Sequence, residues 1–459
     1  MNDMIRNTVA ALSLMGLLAT GGVIAGETGP IAFAGVNLIP MDRERVLENV
    51  TVLVDDGRVT AIGPAGYVEL PPATTVVEAS GRFLMPGLAE MHAHVPGRRQ
   101  DSQWQEDVLL LYVANGVTTA RGMLGEPSHL ELREKIARHE ILGPRLFTSG
   151  PSLNGNSVDG PDEAGRMVRE QAAAGYDFLK LHPGLSRAEF DAIAAAANES
   201  GITFAGHVST DVGLDRALAA SQASIDHLDG YLDALVPESA TMPASRGFFG
   251  AALVDLADPG GIKALARETQ AAGVWVVPTE TLMENIVLPT PPETLAARPA
   301  MRYVPRATLA RWVATKREVL ANPDYDPAAA KRFIALRKSL IGALHDAGAG
   351  ILLGSDAPQV FNVPGFAIHY ELEAMVAAGL SPYEALRTGT ANPAYFFGLT
   401  KQFGEIAIGR DADFILVESN PLEDVGALRR TLGVMVRGRW LPRSELDARL
   451  EEVAARYVD

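Results

Sequence analysis

Between about residues 85 and 400, apolar and polar positions follow a repeating pattern. Short apolar runs alternate with Ala-rich stretches of helical period, which is typical of βα units that build a parallel sheet. Eight runs are predicted as strands: "LAEMHAHV", "GVTTARGM", "PRLFTSG", "YDFLKLH", "ITFAGHV", "SIDHLDG", "GVWVVPT" and "GILLGSD". Because a (β/α)8 barrel requires eight strands, we predict an α/β fold with a TIM barrel over residues 85–400.

Both ends of the chain show a different pattern, with short β-rich runs separated by turn residues. Examples are "NVTVLVDDGRVTAIGP" and "GEIAIGRDADFILVE", and the Asp56-Gly57 pair in the first is a hairpin signal. We predict that residues 26–84 and 401–446 form one small composite β-sandwich domain. Two insertions, around residues 236–261 and 289–330, interrupt the barrel pattern, and such long loops commonly cover a substrate.

The first 25 residues have the pattern of a secretory signal. Arg6 precedes an apolar stretch of small residues, which ends in a Val23-Ile24-Ala25 cleavage-like sequence. The alternative, an uncleaved membrane anchor, is disfavoured because the stretch is short and interrupted by glycine. We therefore expect a signal peptide over residues 1–25, a periplasmic or secreted protein, and no stable membrane insertion once the signal is removed.

Composition narrows the range of functions. The 459 residues are 47% hydrophobic and 21% charged, which is ordinary for a globular protein. A formal net charge of −16 disfavours binding to nucleic acid or to anionic membranes. The absence of cysteine excludes thiol nucleophiles, disulfides and cysteine-bound zinc. Any metal must therefore be held by His, Asp, Glu or a modified side chain. We also expect a homo-oligomer.

Ionisable residues stand where the predicted barrel strands end. The set comprises His92, His94, Lys180, His207, His227 and Asp356. A barrel gathers the carboxyl ends of its strands at one mouth, so these residues should meet there. Taken singly, each residue also fits a structural role: a histidine can be hydrogen-bonded, a lysine can extend to solvent, and an aspartate can cap a turn. Burying all of them together is costly unless a divalent cation such as zinc compensates the cost. His182, on the same parity as Lys180, is a weaker candidate.

These motifs resemble the amidohydrolase superfamily of metal-dependent hydrolases over nearly all of the chain after the signal. The similarity rests on "PGLAEMHAHV", "FLKLH", "GHV", "DHL", "GSDA" and the ending "GEIAIGRDADFILV", and is greatest to the imidazolonepropionase-like and Xaa-Pro dipeptidase-like branch. The resemblance implies two divalent ions, with Zn²⁺ expected. It assigns His92, His94 and Asp356 to the first ion. The other two histidines of the set would hold the second, with a CO₂-derived carbamate on Lys180 between them.

The resemblance also implies the reaction, which is hydrolysis of an amide bond by a metal-bridged hydroxide. Asp356 would carry the proton from water to the leaving nitrogen. Tyr231 would stabilise the oxyanion, although a buried loop tyrosine is an equal interpretation. The implied substrates are dipeptides or N-acyl amino acids, including aryl amides of the ochratoxin type. Their carboxylate would pair with Arg121, Arg302 or His369, each of which also fits a purely structural role.

Two other functions stay open at the level of sequence. The first is a mononuclear deaminase or a cyclic-amide (imidazolone-type) hydrolase of the same fold. Such branches lack the strand-four lysine, so Lys180 favours two ions. The second is an inactive barrel that serves as a binding protein, which should have lost some of the six ligand positions, whereas all are filled. A serine hydrolase is disfavoured because the chain has no Gly-x-Ser-x-Gly sequence.

Overall fold

The computed structural model describes residues 29–97 and 102–457, so the predicted signal peptide lies outside the described residues. The strands are β1 (Ile31–Leu38), β2 (Leu47–Asp55), β3 (Arg58–Pro64), β4 (Thr75–Glu78), β5 (Phe83–Pro86), β6 (Leu88–Ala93), β7 (Val117–Gly122), β8 (Arg145–Thr148), β9 (Phe178–Leu181), β10 (Thr203–Gly206), β11 (Ser224–Asp226), β12 (Trp275–Val277), β13 (Phe414–Val417), β14 (Thr431–Val436) and β15 (Arg439–Pro442).

The helices lie mostly between the strands of the middle region. They are α1 (Ser102–Ala114), α2 (Ser128–Ala137), α3 (Gly160–Ala174), α4 (Arg187–Ser200), α5 (Leu214–Ala219), α6 (Tyr231–Leu235), α7 (Ile262–Ala272), α8 (Glu280–Val287), α9 (Pro292–Ala296), α10 (Arg306–Ala321), α11 (Pro327–Asp346), α12 (Phe366–Ala377), α13 (Pro382–Thr388), α14 (Ala391–Phe396) and α15 (Arg443–Arg456). Across residues 29–97 and 102–457, every helix is too short or too polar to cross a membrane.

Strands from both ends of the chain form a single sheet. Its order is β15-β14-β13-β5-β1-β2-β3, with β4 beside β1. The two ends join where β13 pairs antiparallel with β5, placing Ile415 opposite Met85. The predicted hairpin turns at Asp56 (φ 47°) and Gly57 (φ 70°), which have the positive φ angles of a type I′ turn. The composite sheet is therefore present, and its pairing into a sandwich stays a prediction.

The middle region has the alternating order that the sequence predicts. Strands β6, β7 and β8 form one parallel sheet, and β9 to β12 form another. Every residue of β6 and β7 is buried, as expected for parallel strands covered on both faces. A parallel bridge between Ser149 and Phe178 connects the two sheets at one edge. The arrangement is a TIM-barrel-type α/β fold.

The eighth predicted strand, "GILLGSD", differs from the prediction. It forms an isolated parallel bridge from Ile351 to Val276, and Ala357 bridges to Ala93, so the segment lies between β12 and β6. It is not a continuous strand, because the N–H of Leu353 donates to the Thr388 carbonyl of α13 rather than to a neighbouring strand. The segment nevertheless carries Asp356 to the same edge as the ends of β6 and β12.

Local sequence explains the helices around these strands. In α4, Ser186 accepts from the Glu189 N–H and the Glu189 side chain accepts from the Ser186 N–H, which is a capping box. Gly201 ends that helix at φ 67°. The insertion at 236–261 carries a short 3₁₀ segment, Phe248–Leu253, and the insertion at 289–330 carries α9 and α10.

Candidate metal centre and active site

The imidazoles and the aspartate at the predicted strand ends meet in one cluster. The His92 ring centre lies 5.4 Å from that of His94 and 4.7 Å from that of His227, which is 4.6 Å from that of His207. Asp356 Oδ1 lies 2.8 Å from His94 Nε2 and 3.7 Å from His92 Nε2. Ligand atoms of His92, His227 and Asp356 all lie within 4.8 Å of one another. This spacing suits a shared cation.

Lys180 joins the cluster through Asp226, a residue that the sequence analysis missed. The lysine is fully buried, and its Nζ lies 3.3 Å from Asp226 Oδ2. The same carboxylate oxygen lies 3.2 Å from His92 Nδ1. Burial lowers the pKa of Lys180, and the carboxylates of Asp226 and Asp356 oppose that shift. One buried carboxylate thus connects the lysine to the histidines.

Two of the histidines have one ring nitrogen hydrogen-bonded to a neighbouring oxygen. His207 Nδ1 lies 2.7 Å from Asp229 Oδ2, and His227 Nδ1 lies 2.8 Å from Thr279 Oγ1. His92 Nδ1 lies 3.2 Å from Asp226 Oδ2 but forms no hydrogen bond among the described residues. Metal-binding histidines are usually oriented in this way, with the second nitrogen left for the metal. Imidazole nitrogens next to a carboxylate are a donor set that fits zinc and similar divalent ions.

Glu90 holds the two walls of the cluster together. It is fully buried in β6, where its Oε1 accepts from the backbone N–H of His92 at 3.0 Å and of Ser355 at 2.8 Å. Its Oε2 accepts from Ser355 Oγ at 2.5 Å. Burial raises the pKa of Glu90 to about 8, against the lowering effect of these hydrogen bonds. The side chain therefore sets the spacing between His92 and the neighbouring Asp356.

Two members of the cluster have unusual backbone conformations. His227 (φ 63°) and Asp356 (φ 59°) occupy the left-handed region, which costs on the order of 1 kcal/mol for a residue other than glycine. Buried Arg337 of α11 stabilises the turn at His227 by donating to the carbonyls of His227 at 2.7 Å and Pro278 at 2.8 Å. It also forms a buried ion pair with Glu280. The fold thus maintains a strained turn that directs His227 into the cluster.

Two cavities border the cluster. The first, of about 440 Å³, is lined by His207 and by residues that include Asp211, Asp229, Asp233, Arg246, Phe248 and Phe249; we name it the His207 cavity. The second, of about 400 Å³, is lined by His94 and by residues that include Leu124, Glu126, His129, Thr308, Arg311 and Trp312; we name it the His94 cavity. A substrate that reaches the cluster has space on both sides.

Phe249 and His182 complete the wall of the His207 side. The Phe249 ring centre lies 4.9 Å from that of His227 and 5.9 Å from that of His207. His182, the weaker candidate of the sequence analysis, stacks 5.0 Å from His207. Sequence reasoning identified the insertion that carries Phe249 but had no signal for this residue.

Tyr231 is not placed to stabilise an oxyanion, and this corrects the sequence-based assignment. Its side chain is fully buried, and its hydroxyl lies 2.8 Å from Thr269 Oγ1 on the outer helix α7. The hydroxyl therefore faces the helical layer, where the tyrosine has its alternative, structural role.

The three residues expected to bind a substrate carboxylate are also unsuited to that role. Arg121 is fully buried and its guanidinium is occupied by the Met91 carbonyl at 2.7 Å and by Ser224 Oγ at 3.0 Å. Arg302 pairs at the surface with Glu451 of α15. His369 is buried in α12, where burial, aided by the charge of Arg429, lowers its pKa to about 3 and removes the positive charge that the role requires.

Comparison with known proteins agrees with the predicted family. Residues 83–441 match the model of the amidohydrolase family. Ochratoxinase of Aspergillus niger is 26% identical over 86% of this chain and 82% of its own length. Adenine deaminase of Paracoccus denitrificans is 29% identical over 45% of this chain, but the match spans only 37% of that protein.

Solved structures show the same architecture. Bottromycin amidohydrolase superposes with a TM-score of 0.72 and 26% identity, over 93% of this chain and 90% of that one. A Xaa-Pro dipeptidase with methionine bound in its active site has a TM-score of 0.66 and 18% identity, over 90% of this chain and 100% of that one. The second likeness concerns the fold alone.

Proposed function

Because the chain belongs to the amidohydrolase family, we propose that it is a binuclear metal-dependent enzyme that cleaves the amide bond of dipeptides or N-acyl amino acids. The prediction of a hydrolase acting on carbon–nitrogen bonds is confirmed by the family. The observation that carries the finer proposal is the meeting of the four imidazoles, Lys180 and Asp356 beside two cavities. The ochratoxinase match, over most of both chains, supports an amide of the ochratoxin type.

The imidazoles and the carboxylate of the cluster suit divalent ions, and we propose that they hold two. His92, His94 and Asp356 would hold one ion. His207 and His227 would hold the other, with a carbamate on Lys180 between the two. Bound there, the ions would supply an activated water and polarise the scissile carbonyl.

The protein's own groups perform the remaining tasks. Asp356 accepts the proton of the attacking water on its carboxylate and delivers it to the leaving nitrogen. Its Oδ1, 2.8 Å from His94 Nε2, lies at the side of the cluster that borders the His94 cavity. Phe249 lies against the imidazoles of His207 and His227, where its ring would contact the bound substrate.

A deaminase is the second candidate, and the adenine deaminase matches favour it. The alignments span 37% of the Paracoccus denitrificans enzyme and 57% of the Deinococcus deserti enzyme. Lys180 in the cluster favours two ions over the single ion of the deaminase alternative. The inactive binding protein is disfavoured because the ligand set is filled.

The decisive experiment is an activity screen of the zinc-loaded protein against dipeptides, N-acyl amino acids, adenine, lactones and cyclic imides, with metal content measured on the same sample. We expect chelator-sensitive release of an amino acid and two ions per chain. Ammonia release from adenine with one ion per chain would support the deaminase. Turnover of lactones or cyclic imides alone would contradict the proposed substrate class. Loss of metal affinity when bicarbonate is removed would test the carbamate on Lys180.

We propose that the protein is exported and that residues 1–25 are removed. The support is the sequence pattern of those residues. Sequencing the amino terminus of the protein recovered from the periplasm or the medium would test both points, and retention of Met1 in a membrane fraction would contradict them. Gel filtration of the same material would test the predicted homo-oligomer.

A further inference from the structure

The two cavities beside the cluster differ in charge. In the His207 cavity, three carboxylates, those of Asp211, Asp229 and Asp233, accompany one guanidinium, that of Arg246. This arginine is already neutralised, because its Nε donates to Asp233. An anionic group entering this cavity would meet uncompensated negative charge. The exposed ring of Phe248 suits an uncharged acyl or aryl group instead.

Among the described residues that line the His94 cavity, one carboxylate, that of Glu126, accompanies one guanidinium, that of Arg311. Among the residues that the structure describes, Arg311 of α10 donates to the Thr308 hydroxyl at 2.8 Å and forms no ion pair. Both residues line the cavity, and the hydroxyl orients the guanidinium. A planar guanidinium binds a carboxylate with two parallel hydrogen bonds.

A second polar residue, His129, lines the same cavity. His129 is 1% exposed, and its Nδ1 has no hydrogen-bond partner within the described part of the chain. Its Nε2 faces the Pro96 carbonyl at 3.4 Å, so the hydrogen belongs on Nε2 and Nδ1 is left as an acceptor. Buried polar atoms are rarely left unsatisfied, and this one lies beside the cavity without being exposed to it.

We propose that the His94 cavity binds the carboxylate-bearing half of the substrate through Arg311, and that the His207 cavity binds the acyl half. The proposal rests on the function proposed above and replaces the three residues that the sequence suggested for the carboxylate. Arg311 is a specificity residue, and the apolar walls at Leu124 and Trp312 would contact the side chain of the leaving amino acid.

The test uses the variant Arg311→Met, with Arg246→Met as the matched control in the other cavity. The substrates are N-benzoylphenylalanine and N-benzoyl-2-phenylethylamine, which share the scissile bond and differ by the carboxylate. With Arg311→Met, kcat/KM for the acid should fall roughly 10- to 100-fold, mainly through KM, the range expected for a charge-assisted hydrogen bond. The neutral substrate should be unaffected, and Arg246→Met should leave the preference for the acid intact. Arg311→Lys should restore part of that preference.

A binding measurement decides the proposal even if the wild type hydrolyses neither substrate, an outcome that would count against the proposed function alone. Calorimetry on the metal-loaded protein compares 3-phenylpropanoate with 3-phenylpropanol. We expect the carboxylate to bind about tenfold more tightly, with the difference lost in Arg311→Met. The proposal is overturned if Arg311→Met keeps the difference, if Arg246→Met loses it, or if the wild type shows none. Equal loss of both substrates in Arg311→Met would indicate a structural role and would also overturn it.

Discussion

The two halves of the proposed metal centre support their imidazoles by different means. On the side of His92, the supporting carboxylates of Asp226 and Glu90 are completely buried. On the side of His207, the support is Asp229, whose side chain is 11% exposed and lines a cavity. The carboxylates next to the histidines therefore belong to an interior network in one half, and to a partly exposed group that holds a ring nitrogen in the other.

This difference has energetic consequences. A buried carboxylate must be compensated, and Asp226 lies 3.3 Å from Lys180 Nζ and 3.4 Å from an Arg121 guanidinium nitrogen. Removing the carboxylate would leave two buried cations with less compensation. Asp229 has solvent as an alternative partner, so its removal should affect the orientation of His207 and little else. The first half should therefore couple metal binding to folding, and the second should not.

The largest effect is expected where the two halves meet, at Asp356. Its carboxylate lies 2.8 Å from His94 and 3.8 Å from His227. We expect Asp356→Asn to lower kcat/KM for amide hydrolysis by about 10²- to 10⁴-fold, because it removes the proton carrier. The control is Asp411→Asn, which removes a carboxylate paired with Arg145 of β8. This variant should retain activity. Activity of Asp356→Asn within about threefold of the wild type would refute its role.

The next prediction compares the halves directly. In urea unfolding of the metal-free protein, Asp226→Asn should lower the free energy of unfolding by about 3–5 kcal/mol, since it breaks a buried ion-pair network. Asp229→Asn should change the same quantity by less than about 1 kcal/mol. Equal losses in the two variants would mean that the halves do not differ in the way described here.

Metal removal should sharpen the same contrast. On dialysis against a chelator, we expect the wild type to lose one ion before the other, as measured by elemental analysis. Asp229→Asn should weaken the affinity for the first-released ion by about 10- to 100-fold, the usual cost of losing a group that orients a ligand. Asp233→Asn is the matched control, because this carboxylate lines the same cavity but pairs with Arg246. Weakened binding in both variants would point to the charge of the cavity as the cause.

The smallest effect is expected at Phe249. Replacing it with Ala removes the ring that lies 4.9 Å from the His227 ring, and should raise KM by about 3- to 10-fold with little change in kcat. Tyr67→Ala, an exposed aromatic residue far from this wall in the sequence, serves as the control. A fall in kcat at unchanged KM would show that Phe249 acts on the reaction step instead of on binding.

The sequence predicted the members of the cluster well because two simple rules apply. Residues two apart on a strand share a face, which pairs His92 with His94, and parallel strands present their carboxyl ends at one edge. Asp226 was missed although it directly precedes His227, where a carboxylate next to a ligand histidine was a usable signal. Glu90 also had a signal, as the charged residue on the parity of His92 in an otherwise apolar strand.

The wrong assignments of Arg121 and Tyr231 could not have been avoided from the sequence alone. Arg121 lies at the end of a strand, as predicted. Its guanidinium, however, donates a hydrogen bond inside the protein to Ser224, more than a hundred residues away in the chain. Tyr231 closely follows His227, where the backbone makes a left-handed turn (φ 63°), and its hydroxyl faces α7. The periodicity of apolar residues in a sequence does not reveal where a side chain points after such a turn. It also does not reveal which distant residue will be its hydrogen-bond partner.

By itself, the sequence determined the family, the alternation of strands and helices, and which side chains could bind a metal without cysteine, since these depend on residue type and short-range spacing. Only the tertiary structure decided which carboxylates lie next to the imidazoles and which arginines are already engaged in hydrogen bonds or ion pairs within the protein. It also placed Arg311 at a cavity. The physical reason is that partner choice depends on distances across the fold. Burial then makes each unpaired charge costly enough to dictate its neighbour.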